Sequence, residues 1–395
     1  MSSTGSGQPE GCAPAVLQVL PSLEPGGSAR NAIDIARAVA ETGAKSLLAS
    51  AGGPLDADLL RSGATPIELP LASRNSFLLG RASRRLARVI HRHRVDIVHA
   101  RGAGATWAAW RAATDAGAHF LVTFDLASAQ PGPLQRRYVA AMTKGECVIA
   151  LSQFQADHIR QTYPVEPGRI RLIRRGIDLR SFDPDKVGPY RLAQLVRRWS
   201  LPDGVPVVMA AGRRGWVGDG VLLEALARLR NLPFRCLLVG AGEDATIRAE
   251  LEAGIRHLGL ADRVQLTGEC ADMPAAYMLA DVVVSASNLP EAFVHVITEA
   301  QAMGRPVVAT CHDGAEEQVL PEQTAWLVPP DEPEALGQAI AEALSLTPDQ
   351  RAALSHAAIA HARACFGKER MCAQTLSLYR EMLSTDAYAL GPAAA

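Results

Sequence analysis

The 395-residue chain lacks most features of a membrane, disulfide-rich or nucleic-acid-binding protein. It has no apolar run of the roughly 18 residues that a transmembrane helix needs. Its seven cysteines form no Cys-x-x-Cys pair, so neither a zinc ribbon nor a redox pair is indicated. Their odd number, and the lack of a secretory leader, predict a reducing, cytoplasmic setting. With 40 basic and 41 acidic residues, the net charge of -1 argues against nucleic-acid binding.

Instead, the sequence alternates short apolar runs with amphipathic segments. Its hydrophobic content of 48% and charged content of 21% are typical of a globular enzyme, and its length predicts two or three domains. The alternation predicts an α/β fold with mostly parallel sheets, in two Rossmann-like, doubly wound domains that face a central cleft. The predicted strands cover 15–20, 46–50, 97–99, 120–123, 147–151, 205–210, 234–239, 264–266, 282–284, 307–309 and 325–328.

The rhythm of strands and helices is interrupted between residues 177 and 203, where three prolines occur. This interruption predicts a linker between two domains of similar size. The Ser/Gly-rich start reads as a disordered tail. The predicted divisions are a tail (1–13), an N-terminal domain (14–185), a linker (186–203), a C-terminal domain (204–366) and a final helix (367–385).

Two carboxylates, Glu291 and Glu299, lie eight positions apart around a predicted helix start. Pro290 places the first in a turn, whereas the second lies in a helical segment that Gly304 ends. Helix starts bind phosphate, and carboxylates accept hydrogen bonds from sugar hydroxyls. The segment therefore predicts a nucleotide-sugar site, and the competing interpretation is that both glutamates are ordinary solvated residues.

This segment resembles the Glu-x7-Glu signature of retaining family 4 glycosyltransferases, which have the GT-B fold. The resemblance covers roughly residues 14 to 384 and includes the Gly26-Gly27 pair and the run from Gly304 to Thr310. It implies a nucleotide-diphospho-sugar donor, no metal, no other cofactor and no established protein nucleophile. It also implies that the final helix crosses back onto the N-terminal domain.

The resemblance further implies roles for individual residues. Glu291 would bind the sugar hydroxyls and Glu299 the ribose, while Arg213 and the helix start at His295-Val296 would stabilise the leaving diphosphate. The predicted catalytic residues are Glu291, Arg213 and Asp125. The other predicted donor contacts are Gly26, Gly27, Arg214, Gly240, Gly242, Phe293 and Val294. A dinucleotide interpretation of Gly240-x-Gly242 is disfavoured because the third glycine is missing.

Three positions depart from the family pattern. The usual lysine, histidine and glycine are replaced by Val217, Asp125 and Val294, respectively. Arg214 either substitutes for the lysine or faces solvent. Asp125 could still accept a hydrogen bond from a sugar hydroxyl. A β-branched residue at position 294 disfavours a backbone with positive φ. An alternative function is therefore a catalytically weakened homologue that binds a donor or a partner transferase. The full Glu-x7-Glu context argues against an epimerase.

The sequence allows two interpretations of the acceptor residues and two of the basic helix. His99 and Arg101 end a predicted strand where family members contact the acceptor, although His99 could equally be structural. The segment Arg81–Arg94 is a basic amphipathic helix that could lie on an anionic leaflet at the inner face of the cytoplasmic membrane, or pack its stripe on the sheet. The resemblance implies a bacterial surface glycan acceptor, either lipopolysaccharide core or exopolysaccharide.

Overall fold

A computed structural model of the chain describes residues 13–73, 75–125, 139–212, 219–241, 245–287, 292–311 and 314–389. These residues form two α/β domains, each built on one parallel sheet, which confirms the predicted architecture. In the described part of the chain, no helix is both long and apolar enough to cross a bilayer.

The first domain contains a seven-stranded sheet with the order β3-β2-β1-β4-β5-β6-β7. Its two central strands are buried along their whole length, as expected for a parallel sheet covered on both faces. The chain reverses its winding direction between β1 and β4, and such a switch point opens a crevice at the strand ends. The strands are β1 Ala15–Val19, β2 Lys45–Ser50, β3 Thr65–Glu68, β4 Ile97–Arg101, β5 His119–Thr123, β6 Cys147–Ala150 and β7 Ile170–Leu172.

Helices cover both faces of this sheet. The basic helix starts before its predicted position because the Asn75 side chain caps it, accepting a hydrogen bond from the Phe77 N–H at 2.9 Å. The described helices of this domain are α1 Gly27–Glu41, α2 Asp56–Arg61, α3 Ser76–His93, α4 Ala103–Ala116 and α5 Gln153–Thr162.

The second domain contains a six-stranded sheet with the order β10-β9-β8-β11-β12-β13. Its strands are β8 Val207–Ala211, β9 Arg235–Val239, β10 Val264–Gly268, β11 Val282–Ser285, β12 Val307–Thr310 and β13 Ala325–Val328. The described helices of the second half are α6 Pro189–Trp199, α7 Asp219–Arg228, α8 Ala245–His257, α9 Met273–Leu279, α10 His295–Ala302, α11 Pro333–Leu344, α12 Pro348–Cys365 and α13 Lys368–Ala389.

The predicted linker, 186–203, is largely helical. Pro189 occupies the first turn of α6, where its missing N–H costs nothing, so this proline starts a helix. Leu195 and Trp199 of α6 are buried in the core of the second domain. The segment therefore belongs to the second domain's packing and is not a free connector.

The chain passes between the domains twice, and the two crossings are hydrogen-bonded to each other. The Ile177 N–H donates to the Phe366 carbonyl at 2.8 Å, and the Lys368 N–H donates to the Ile177 carbonyl at 3.0 Å. Beyond the second crossing, α13 packs on the first domain, where Met371 and Tyr379 join its apolar core. The same crossing thus brings the final helix back to the first sheet.

Candidate functional site

The centre of the site is the start of α10. Its N-cap, Val294, is extended with φ of −104° and ψ of 105°, and no side chain of the described residues caps the helix. The Gln318 amide fixes this residue: the Val294 N–H donates to Oε1 at 2.7 Å, and Nε2 donates to the Val294 carbonyl at 2.9 Å. Because Val294 has a negative φ, its β-branched side chain causes no backbone strain here. The helix ends before Gly304, whose φ is +65°, as the sequence predicts.

His295 opens α10 and is uncharged at neutral pH. Removal from water, with the nearby charges of Arg175 and Arg30, lowers its pKa from 6.5 to about 3. Its ring packs edge-on against Phe293, with 5.1 Å between the ring centroids. His295 therefore contributes its backbone N–H and ring packing to this helix start, and no positive charge of its own.

The glycine pair of the first domain lies directly against this helix start. Gly26 is the N-cap of α1, which has neither a side-chain cap nor an acidic residue in its first turn. A Cβ atom placed on Gly27 would overlap the His295 ring at Nε2. Glycine at position 27 thus allows the starts of α1 and α10 to meet across the domain boundary. Two helix starts that meet in this way concentrate positive potential and N–H donors.

Glu299 lies one turn into α10, on the same side of the helix as His295. Its Oε2 accepts a hydrogen bond from the Tyr277 hydroxyl at 2.8 Å. Burial and the adjacent carboxylate raise the pKa of Tyr277, so this tyrosine remains a donor. The bond holds the Glu299 carboxylate in a defined orientation beside the cleft.

A cleft of about 220 Å³ lies between α1, the domain crossings and α10. Lys368 binds Asp178 at 3.0 Å and lies 3.8 Å from Asp34, and these contacts tie the second crossing to the first and to α1. Burial would raise the pKa of Asp178, but the hydrogen bond and charge of Lys368 outweigh that effect and lower it. Among the residues that line the cleft are Arg30, Asp34, Asp178, His295, Glu299 and Lys368.

Both carboxylate oxygens of Asp125, which the resemblance places near the family histidine, contact the first domain. Oδ2 accepts from the Ser28 hydroxyl at 2.5 Å, and Oδ1 accepts from the Gly102 N–H at 3.0 Å. In this arrangement the carboxylate joins the ends of β1, β4 and β5. The side chain therefore binds groups of the first domain, whereas the sequence predicts that it binds the donor sugar directly.

The predicted acceptor residues His99 and Arg101 lie in the interior, at 0% and 2% exposure. The two ring nitrogens of His99 are hydrogen-bonded to the Tyr379 hydroxyl at 2.7 Å and to the Thr123 hydroxyl at 2.8 Å. Burial holds its pKa well below the usual value. Of the two interpretations of His99, the structural one agrees with these contacts. Both side chains point into the domain because α13 covers this part of the sheet.

Gly240 has a packing role. Its φ is +84°, and a Cβ atom there would overlap the carbonyl oxygen of Gly212, so it allows the loops after β8 and β9 to touch. Val296, the remaining predicted contact, is the second residue of α10. Several predicted residues lie outside the described ranges, namely Glu291, Arg213, Arg214, Val217 and Gly242.

The basic helix α3 exposes its arginines but not its apolar stripe. Leu86 is 0% exposed and Ile90 is 2% exposed, because both pack in the first core. The stripe therefore packs in the domain interior and cannot enter a membrane. Two apolar residues at the helix start, Phe77 and Leu78, are 70% and 39% exposed.

Sequence reasoning missed three residues that shape the site. Arg175 acts on His295 from the first crossing, Lys368 approaches from the second, and Gln318 reaches Val294 from a short helical turn. Each is distant from α10 along the chain and belongs to no short motif. Gly176 marks where the crossings touch, since a Cβ atom there would overlap Lys368, but a single glycine in the sequence does not indicate this contact.

Comparisons with known proteins identify both domains. Residues 25–181 match the family model described as Glycosyltransferase Family 4, and residues 205–345 match the model described as Glycosyl transferases group 1. The D-inositol 3-phosphate glycosyltransferase of Segniliparus rotundus is 32% identical over 267 residues, covering 66% of this chain and 58% of that protein. The corresponding protein of Xylanimonas cellulosilytica is 31% identical, covering 60% and 57%. The chain thus matches less than two thirds of the length of these relatives.

Solved structures support the same assignment. A glycosyltransferase from Rickettsia africae is 30% identical with a TM-score of 0.86, covering 94% of this chain and 99% of that one. HepE from Anabaena, solved with UDP, is 24% identical with a TM-score of 0.81, covering 93% and 100%, and shows the fold alone. The chain therefore belongs to glycosyltransferase family 4, whose members have the GT-B fold.

Proposed function

We propose that this protein transfers a sugar from a nucleotide-diphospho-sugar to a glycan acceptor. The observation that carries the proposal is the contact between Gly27 and His295, which joins two helix starts with no acidic residue in either first turn. Developing negative charge on a leaving diphosphate is stabilised by such preorganised N–H groups and dipoles. Arg30 and Arg175 add positive charge beside them.

Glu299 supports assignment of the nucleoside half of the donor to the cleft. The Tyr277 hydroxyl orients its carboxylate toward a polar cavity, where it would accept hydrogen bonds from ribose hydroxyls. Glu291, Arg213, Arg214 and Gly242 complete the proposed donor site as sugar and diphosphate ligands. These four assignments rest on the resemblance alone.

Retention of the anomeric configuration and independence from metal ions are part of the proposal. Both properties follow from the resemblance. The positive charges around the start of α10 also support independence from metal ions. Incubation with EDTA tests it: full turnover is expected with the chelator, and loss of turnover that Mg²⁺ restores would contradict it. NMR analysis of the product anomer tests retention, and an inverted product would contradict it.

The names of the similar proteins suggest which donor and which acceptors to test first. HepE has been solved with UDP-glucose, so UDP-glucose is the first donor to test. We propose a bacterial surface glycan, either lipopolysaccharide core or exopolysaccharide, as the acceptor. Because the relatives from Segniliparus rotundus and Xylanimonas cellulosilytica are named D-inositol 3-phosphate glycosyltransferases, inositol 3-phosphate belongs in the same assay.

The central experiment measures donor binding, hydrolysis and transfer across UDP-, GDP- and ADP-sugars. Glu299→Gln should weaken donor binding by about tenfold, since one charge-assisted hydrogen bond is lost. Glu342→Gln on the exposed face of α11 is the matched control and should bind as the unchanged protein does. Absence of binding to every donor would reject the proposal.

A second candidate is a homologue that binds the donor without turnover. The contacts of Asp125 favour it, because a carboxylate held by Ser28 and Gly102 does not take the role of the histidine that the resemblance implies near this position. Tight donor binding with neither hydrolysis nor transfer, across the donor and acceptor panels, would establish this alternative.

We also propose that the protein acts in the cytoplasm and contacts an anionic leaflet through the start of α3. Phe77 and Leu78 are exposed, and Arg81, Arg84 and Arg85 follow them on the surface. Sedimentation with phosphatidylserine vesicles should pellet the protein at low salt but not at high salt. The double variant F77S/L78S should remain in solution, whereas Leu232→Ser, a control at 37% exposure in the second domain, should pellet. No pelleting of the unchanged protein would reject this contact.

A further inference from the structure

Asp125 connects three strand ends of the first domain. Ser28 belongs to the first turn of α1, which follows β1, and Gly102 lies between β4 and α4. Both donate hydrogen bonds to Asp125, which follows β5. Through this single carboxylate, the glycine-rich loop is attached to the two neighbouring strands.

A second contact holds the same loop from the other side. Gly102 has a φ of +73°, and a Cβ atom there would lie 2.7 Å from Cγ of Pro21, at the beginning of the loop between β1 and α1. The turn after β4 is therefore packed tightly against that loop. Together, the steric contact and the two hydrogen bonds determine where the glycine pair lies.

The position of this loop is transmitted to the second domain. Ser28 follows Gly27 in the chain, and Gly27 packs against the His295 ring at the start of α10. Loss of the Asp125–Ser28 bond would free the first turn of α1 and with it the contact between the two helix starts.

The charge of Asp125 is compensated from within the first domain. Arg101 is 2% exposed, and its Nε and Nη2 atoms have no hydrogen-bond partner among the described residues. Burial lowers the pKa of Arg101, and the negative charge of Asp125 opposes this effect. A carboxylate beside a diphosphate is tolerable when a buried guanidinium balances it.

We propose that Asp125 is a positioning residue that fixes the loop Gly26–Ser28 against α10, and that it is not a ligand of the donor sugar. The inference rests on the proposed function only in treating α10 as the donor site. Holding the loop requires hydrogen bonding and not a negative charge, whereas loss of the charge leaves the buried Arg101 without this compensation and should lower the overall stability. An asparagine can hold the loop, since its Oδ1 accepts from Gly102 and its Nδ2 donates to the Ser28 hydroxyl.

The test combines hydrogen exchange of residues 21–32 with donor-hydrolysis kinetics. Asp125→Asn should keep the exchange protection of the loop, and kcat/KM should stay within about threefold. Asp125→Ala and Ser28→Ala should each accelerate exchange and lower kcat/KM, the former by about tenfold or more. The double variant S28A/D125A should be no worse than Asp125→Ala, because both remove the same interaction.

Thr347→Ala is the matched control, since it removes a capping hydroxyl from the remote α12 and should leave loop exchange unchanged. Loss of turnover in Asp125→Asn with a fully protected loop would show that the carboxylate acts on substrate, and would overturn the proposal. Unchanged loop exchange in both alanine variants would overturn it as well.

If Asp125→Ala fails to fold, Ser28→Ala and Asp125→Asn still test the positioning role. If the unchanged protein has no turnover, the proposed function fails, whereas loop exchange still tests the positioning role.

Discussion

At the scale of single residues, the two neighbouring glycines have different surroundings. The nearest atom to a Cβ on Gly26 would be the Glu24 carbonyl oxygen at 3.9 Å, whereas a Cβ on Gly27 would overlap His295. Gly27→Ala should therefore separate the two helix starts and lower kcat/KM by about ten- to hundredfold. Gly26→Ala, the matched variant, should have a clearly smaller effect in the same assay. Equal losses in the two variants would show that the contact with His295 is not what position 27 requires.

The low pKa of His295 predicts that the stability of the protein falls at acidic pH. Its pKa is about 3 in the folded protein and near 6.5 when unfolded, so the unfolded chain binds the extra proton between these values. The contribution of His295 is complete above pH 6.5 and is lost as the pH falls toward 3. We expect a loss of about 1.4 kcal/mol for each pH unit below 6.5 from this residue.

Urea unfolding at pH 7.0 and at pH 5.5 measures this effect, and His295→Gln is the comparison. The free energy of unfolding of the unchanged protein should fall by about 1 kcal/mol more than that of the variant. His99, whose pKa burial also lowers, is present in both proteins and cancels. Identical pH dependence would mean that His295 is solvated at its ring.

The sequence predicts those parts of the site whose determining residues lie close together in the chain. The helix at Glu299 and its end at Gly304 follow from local periodicity and a glycine with positive φ. The anchoring of Val294 by Gln318 does not, because the amide comes from 24 positions away. Likewise, sequence alone does not reveal that Asp125 hydrogen-bonds to Ser28, since folding brings together residues 97 positions apart.

At the scale of elements, a polar contact inside an apolar core links α13 to β4. The Tyr379 hydroxyl is 2.7 Å from Nδ1 of His99, and both side chains are buried. Tyr379→Phe leaves this ring nitrogen without a partner, which should lower the free energy of unfolding by about 1 to 3 kcal/mol. Tyr190→Phe, at a site that is 74% exposed, should change it by less than about 0.5 kcal/mol. Chemical denaturation of the three proteins checks both values, and equal stability would show that another group or water satisfies His99.

Element prediction succeeded where an apolar pattern was strong. Buried central strands such as β1 and β4 lie within two residues of their predicted ends, because continuous apolar runs report burial on both faces. The edge strands β3 and β7 were missed because each is short and lacks such a run: β3 is largely exposed, and only one of the three residues of β7 is buried. The helix α6 was missed because its proline, read as a linker residue, instead starts the helix.

At the scale of the whole molecule, Glu317 of the second domain caps a helix of the first. Its two carboxylate oxygens accept hydrogen bonds from the N–H groups of Gln153 and Phe154 at 2.8 and 2.7 Å. Arg174, also in the first domain, donates to the same carboxylate at 3.2 Å. A carboxylate at a helix start interacts favourably with the helix dipole and satisfies free N–H groups. These contacts exist only while the domains are together, so they favour a closed arrangement.

Removing this interaction should shift the molecule toward an open arrangement. Glu317→Gln loses the charge and one of the two acceptors, at a cost of about 1 to 2 kcal/mol, which corresponds to roughly a five- to thirtyfold shift in the equilibrium. Small-angle scattering should then report a larger radius of gyration for the variant, and UDP should restore the compact form if donor binding requires closure. Glu316→Gln changes the adjacent exposed glutamate and serves as the control. Matching scattering curves for all three proteins would show that Glu317 does not control closure, and the crossings tied by Lys368 would then be the elements that hold the domains together.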